Sequence, residues 1–276
     1  MKKIPYLLFM LVLPFVFSAC SDDDDKDNGG DGITTEKKLP VQINVHIEDD
    51  RIPKKFYIPF DWDYPIRFHY DVENRLESYT YLYDYANVTG QITYMRDGNI
   101  KEYRSFVNNT EDLETFVSFE YKADTIVASR SNQVHLLVVN SKRQLLRILT
   151  KDYKVYAEYK YDDSGNLTEE AFFQDYQVKR STYRYDRKYN AFKDVGTPSW
   201  FFVYNKFSWI KGFRNNIARV ITETTYYDVD GKEITPGATV SCGIELTYNS
   251  EDYIETVQFK EESCTYTMKY EYKEVK

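Results

Sequence analysis

Tyr159-Lys160-Tyr161-Asp162-Asp163-Ser164-Gly165-Asn166-Leu167-Thr168-Glu169 decides the fold. Its first half alternates aromatic and charged residues, the signature of a strand with one buried and one wet face. Asp162 then folds back on its own backbone, Gly165 takes the left-handed position of a tight turn, and Leu167 starts the return strand. The eleven residues therefore read as one β-hairpin.

Looser copies are Phe68-His69-Tyr70-Asp71-Val72-Glu73-Asn74-Arg75-Leu76, Tyr226-Tyr227-Asp228-Val229-Asp230-Gly231-Lys232-Glu233-Ile234 and Leu246-Thr247-Tyr248-Asn249-Ser250-Glu251-Asp252-Tyr253-Ile254. Tyr183-Arg184-Tyr185-Asp186 keeps the first half only. Copies recur about every 20 residues, room for two short strands each, which predicts an antiparallel meander of roughly 12 strands. In Cys264–Lys273 one face reads Cys, Tyr, Met, Tyr, Tyr and the other Thr, Thr, Lys, Glu, Lys. Tyrosine dominates, with 27 copies against 3 tryptophans and 3 histidines. With the aromatic face bent inward and the charged face outward, the sheet curls into a soluble barrel or half-barrel. The opposite curvature would put Lys160, Lys269 and Lys273 in hydrocarbon, at up to about 2–4 kcal/mol each.

Residues 187–216 interrupt the pattern. Trp200, Phe201, Phe202, Tyr204, Phe207 and Trp209 crowd together without alternation, and Thr197-Pro198 suits a helix cap and first position. The segment near 190–216 reads as a long connection with one or two helical turns that plugs one end of the sheet. Asp61-Trp62-Asp63-Tyr64-Pro65 is a second aromatic break.

The N-terminus has its own logic. Met1-Lys2-Lys3 precedes an apolar run, Ile4 to Phe17, too short for a membrane span of roughly 20 residues. It reads as an export signal, residues 1–19. Phe17-Ser18-Ala19-Cys20 resembles the lipobox of bacterial lipoproteins, which implies cleavage before Cys20 and lipid on its sulfur. Two or more acyl chains give a stable anchor without a membrane crossing. Residues 20–39 follow as an acidic tether, Ser21-Asp22-Asp23-Asp24-Asp25-Lys26-Asp27 and then Gly29, Gly30 and Gly32. Serine and a run of acids behind the cysteine resemble the signal that places Bacteroidetes lipoproteins on the outer face of the outer membrane. The β domain then occupies residues 40–276.

The tyrosine–aspartate unit is similar to the repeats of RHS-type proteins. Together with the lipobox, the chain resembles a family of Bacteroidetes lipoproteins of unknown function with a porin-like β domain. That resemblance implies a curved or closed antiparallel sheet and carries no catalytic residues.

Charge and motifs narrow the function. The net charge is −8, and removal of Lys2 and Lys3 takes Lys+Arg from 36 to 34 against 44 Asp+Glu. A basic nucleic-acid surface is not expected. His46, His69 and His135 lie far apart, so no metal-ligand spacing exists. There is no Gly-x-Ser-x-Gly, no phosphate loop and no dinucleotide fingerprint. An enzyme is not expected, nor a cofactor.

Three features remain. An exported setting permits a disulfide between Cys242 and Cys264, but a simple meander separates them by two strands, about 9.6 Å, beyond disulfide reach. Asp124-Thr125-Ile126 resembles Bacteroidetes O-glycosylation sites and marks Thr125. A concave sheet lined with phenols suits a sugar ring, stacked on aromatics and bonded through its hydroxyls. Trp62, Tyr64, Trp200 and Trp209 are the candidate ligand contacts because they lie in breaks. Core packing is the competing role for Trp200 and Trp209. The two functional expectations are a lipid-anchored glycan-binding protein and an accessory lipoprotein docking on another outer-membrane protein.

Overall fold

The computed structural model describes residues 37–49, 62–83, 86–131, 133–207, 214–228, 230–261 and 264–275. The Asp162 turn closes as its sequence demands: Asp162 N–H donates to Asn166 O, and Gly165 N–H to Asp162 O. This is a type I turn followed by a left-handed residue and a bulge. Six other turns repeat both bonds, at 71–75, 95–99, 140–144, 150–154, 228–232 and 249–253. The left-handed position falls to Gly98, Gly165 and Gly231, but also to Asn74, Arg143, Tyr153 and Asp252 at φ 58–65°. The first turn residue offsets that strain. Oδ1 of Asp71, Asn140, Asp228 and Asn249 each accepts two backbone N–H groups of its own turn.

These turns join β1 (Lys38–Asp49), β2 (Trp62–Tyr70), β3 (Leu76–Tyr83), β4 (Ala86–Tyr94), β5 (Ile100–Val107), β6 (Thr110–Glu111), β7 (Val117–Lys122), β8 (Thr125–Arg130) and β9 (Gln133–Val139). The wall continues with β10 (Leu145–Thr150), β11 (Val155–Tyr161), β12 (Leu167–Gln174), β13 (Gln177–Tyr189), β14 (Asn215–Tyr227), β15 (Glu233–Tyr248), β16 (Ile254–Glu261) and β17 (Cys264–Glu274). Each strand pairs antiparallel with its chain neighbour, and β1 pairs with both β2 and β17. The sheet is thus a closed barrel, not a half-barrel. β5 pairs directly with β7, which leaves two-residue β6 as a spur and 16 strands around the ring. A closed antiparallel ring needs an even number, and the spur supplies the parity.

The strand count exceeds the expected 12 because two-residue turns, such as Ala123-Asp124 and Asp175-Tyr176, carry no glycine and add hairpins that the tyrosine–aspartate copies do not mark. We call the end where β1 begins and β17 finishes the proximal end. Six of the tyrosines at this end donate to strand carbonyls.

Their arrangement follows one rule. Where the ladder between two strands stops, the carbonyl two residues beyond the last pair accepts a bond from a tyrosine three residues beyond its partner. Thr182 pairs with Glu169, and Tyr185 Oη donates to Leu167 O at 2.6 Å. The same offset gives Tyr70 to Pro40, Tyr94 to Leu76, Tyr121 to Ile100, Tyr161 to Leu145 and Tyr272 to Ile254. In five of the six cases the acceptor is the leucine or isoleucine that follows one of these turns. These six tyrosines are therefore mortar between hairpins, satisfying carbonyls that the sheet leaves behind. Asp186, in the half copy, acts likewise: it accepts from Lys188 N, Asn216 N and Tyr248 Oη, tying β13, β14 and β15.

A ring of this size is too wide for wall side chains alone to fill. Residues 190–207 enter from the proximal end and supply the filling. Their helix α1 (Ser199–Tyr204) is buried at Trp200, Phe201, Phe202 and Val203. Trp200 packs edge-on against Phe119 and Tyr121, Phe201 against Tyr103, and Phe207 against Tyr79. Thr197 does not cap the helix. Its Oγ1 accepts from Leu76 N and meets Tyr94 Oη, which stitches the plug to β3 and β4. Pro198 occupies the N-cap position instead.

The outer wall carries Lys160–Glu169–Arg180, Arg147–Glu158 and Glu102–Arg104–Glu111 ion pairs. A lipid-facing barrel is apolar there; this one has a charged exterior. No helix of the described residues is long and apolar enough to cross a membrane.

Candidate functional site

Parity along the strands decides what enters the lumen. On β8, Ala128 is buried, so Arg130 two residues on shares its inward face. On β9, His135 sits opposite Ala128 and shares a face with buried Leu137. On β11 the register shift between Ile148 and Leu149 of the partner strand turns Tyr156 inward beside Ala157. Phe172 pairs with Ala157 across β12. The plug delivers Tyr204 at the end of α1 and, through a left-handed turn at φ 55°, Lys206.

These side chains converge toward the distal end. His135 stacks on Tyr156 at 5.4 Å with planes 15° apart, and its Nδ1 lies 3.3 Å from Tyr204 Oη. Lys206 Nζ stands 4.0 Å over the Phe172 ring and 5.9 Å from that of Tyr156. All are half-buried, neither sealed in the core nor fully in solvent. Burial, then the charges of Arg130 and Lys206, hold the His135 imidazole below its ordinary range, so the ring is neutral near pH 7. The cluster brings together flat rings, a neutral imidazole, a phenol and two cations. Farther in, Glu170 is 5% exposed and accepts from Tyr183 Oη.

The residues marked by sequence fare differently. Trp200 is 0% exposed and encased by aromatic rings, so it is core and offers no surface to a ligand. Trp209 and Cys20 lie outside the described residues, as does the Trp62 side chain, although its backbone opens β2 opposite Ile47. Tyr64 is half-buried opposite Val45 and borders a recess of ≈ 480 Å³ with Asn44, His46, Pro65, Thr267 and Lys269. Thr125 begins β8 after the Ala123-Asp124 turn, half-exposed, its hydroxyl 3.1 Å from Asp124 Oδ1. Cys242 and Cys264 are both free, and β16 lies between their strands, which fits the two-strand separation.

Sequence reasoning missed Arg130, His135, Tyr156, Tyr204 and Lys206. The available signal was parity: Arg130 shares a face with Ile126 and Ala128, and His135 with Leu137 and Val139.

No protein-family model and no curated protein matches the chain. Among solved structures it is similar to a porin-like protein from Bacteroides vulgatus, at 14% identity and TM-score 0.37, over 86% of this chain and 100% of that one. A porin-like protein from Bacteroides uniformis matches at 10% identity and TM-score 0.32, over 85% and 98% of the two chains. A Photorhabdus luminescens Tc holotoxin pore matches at 12% identity and TM-score 0.23, over 71% of this chain and 12% of that one. The closed barrel stands on its own strand register, not on these likenesses.

Proposed function

We propose that this chain is a lipid-anchored protein on the outer face of the outer membrane that binds glycan in the distal half of its barrel. One observation carries the ligand reading. The half-buried rings of Tyr156, Phe172 and Tyr204 face the donors His135 and Lys206, the pairing of flat apolar faces with polar groups that a sugar requires. The lipobox at Cys20 and the acidic tether support the location. A glycan array probed with the full chain tests the reading, followed by Tyr156→Ala. Loss of binding by roughly fivefold or more with an unchanged melting curve is the expected result. An array with no binder removes it. Cys20→Ser should move the protein from the membrane to the soluble fraction; retention in the membrane refutes the anchor.

A second reading, docking on another outer-membrane protein, has its own observation. Among the described residues, the exposed apolar side chains Leu82, Leu113, Tyr153, Tyr176, Tyr226 and Ile234 gather at the distal rim, while Val72 and Tyr189 sit at the proximal end. Co-purification of a stoichiometric membrane partner, lost on Tyr226→Glu with Ile234→Glu, would favour it.

A further inference from the structure

Arg130 is the anomaly of the lumen. Its Nε is buried and has no hydrogen-bond partner, and among the described residues no carboxylate forms an ion pair with it. Arg75, Arg104, Arg147 and Arg180 each hold an acid. The guanidinium acts inward. Burial raises the pKa of the Tyr103 and Tyr204 phenols and lowers that of the His135 imidazole, and the Arg130 charge acts on all three of these lumenal groups, with Asp112 acting against it at Tyr103. A half-buried cation without a counterion is costly unless something anionic completes it. The chain's net charge of −8 would otherwise repel such a group, and Arg130 and Lys206 set positive charge against it at this end, with the Glu170 carboxylate farther in.

We propose that the lumenal site selects acidic saccharides, with Arg130 receiving a sugar carboxylate in a forked pair while the pyranose ring packs on Tyr156 and Tyr204. Planar guanidinium and carboxylate match in geometry, which a lysine cannot reproduce. Lys206, held over Phe172, adds a second positive charge, and neutral His135 serves a ring hydroxyl. This inference rests on the lumenal glycan reading and narrows it to one ligand class.

The test is calorimetric titration of the full chain in detergent with uronate-bearing hexasaccharides and their neutral counterparts of equal length. The acidic members should bind at least about tenfold tighter, the worth of one charge-assisted bond. Arg130→Gln should erase that preference by weakening acidic binding about tenfold more than neutral binding, with the melting curve unchanged, and Arg130→Lys should restore only part of it. Equal binding of acidic and neutral members, or full acidic binding by Arg130→Gln, overturns the selectivity while the glycan site stands. No binding of any hexasaccharide by the unaltered chain overturns both.

Discussion

Replacing Tyr185 by phenylalanine removes one oxygen and leaves the ring. That oxygen donates to Leu167 O at 2.6 Å, two residues past the last ladder pair of β12 and β13. A net hydrogen bond is worth about 0.5–1.5 kcal/mol, and a carbonyl left unsatisfied away from water adds to the loss. The expected destabilisation is about 1–2 kcal/mol. For a chain of this size each kcal/mol lowers Tm by roughly 2–4 °C, so a fall of about 3–8 °C follows. Tyr176→Phe is the control, since that phenol is 56% exposed at the other end of the barrel; surface changes of this kind stay within about 0.5 kcal/mol. Paired urea titrations should show a lower midpoint at constant slope for Tyr185→Phe alone. If both variants shift by the same small amount, the tyrosine rule at the proximal end is geometric coincidence.

Two further perturbations probe the same wall. A Cβ on Gly90 would lie 2.4 Å from Cε1 and Cζ of Tyr79, whose ring is buried and whose hydroxyl meets Tyr103 Oη at 2.7 Å, so Gly90→Ala should cost about 1–3 kcal/mol and unchanged stability would show the ring free to move. Alkali should unfold the barrel cooperatively. Burial raises the pKa of Tyr70, Tyr94, Tyr161 and Tyr272 well above the ordinary phenol range and that of Tyr121 to about 12. Unfolded phenols ionise near pH 10. The folded state therefore holds more protons above that pH, and its stability is complete below about pH 10 and falls as pH rises toward the folded values. Absorbance at 295 nm and circular dichroism should change together; phenols that ionise one by one in a folded protein would contradict this.

Much of the fold was legible because the repeat encodes both halves of each joint. Tyr161-Asp162 and Leu167 announce a hairpin, and the same tyrosine and leucine turn out to be donor and acceptor for neighbouring hairpins. The strand number was not legible. Arg143 and Tyr153 hold left-handed positions that glycine normally marks, and turns such as Ala123-Asp124 leave no signature. The aromatic run at 200–209 was readable as a plug. Its burial was not, since a tryptophan in a break serves core and ligand equally well until the ring around it is known. The lumenal cluster was hardest, because residues 130, 135, 156 and 204–206 meet only when the barrel closes around its own connection.

Closure of β1 on β17 is the claim on which lumen and plug depend. Asn44 and Lys269 are register partners across that seam, and cysteines placed at both positions, with Cys242 and Cys264 changed to alanine, should form a disulfide under mild oxidation. Asn44→Cys with Thr267→Cys, one diagonal step away at about 7–8 Å, should not. Crosslinking of the first pair alone is the result the closed barrel requires; failure of both pairs to crosslink would mean an open sheet.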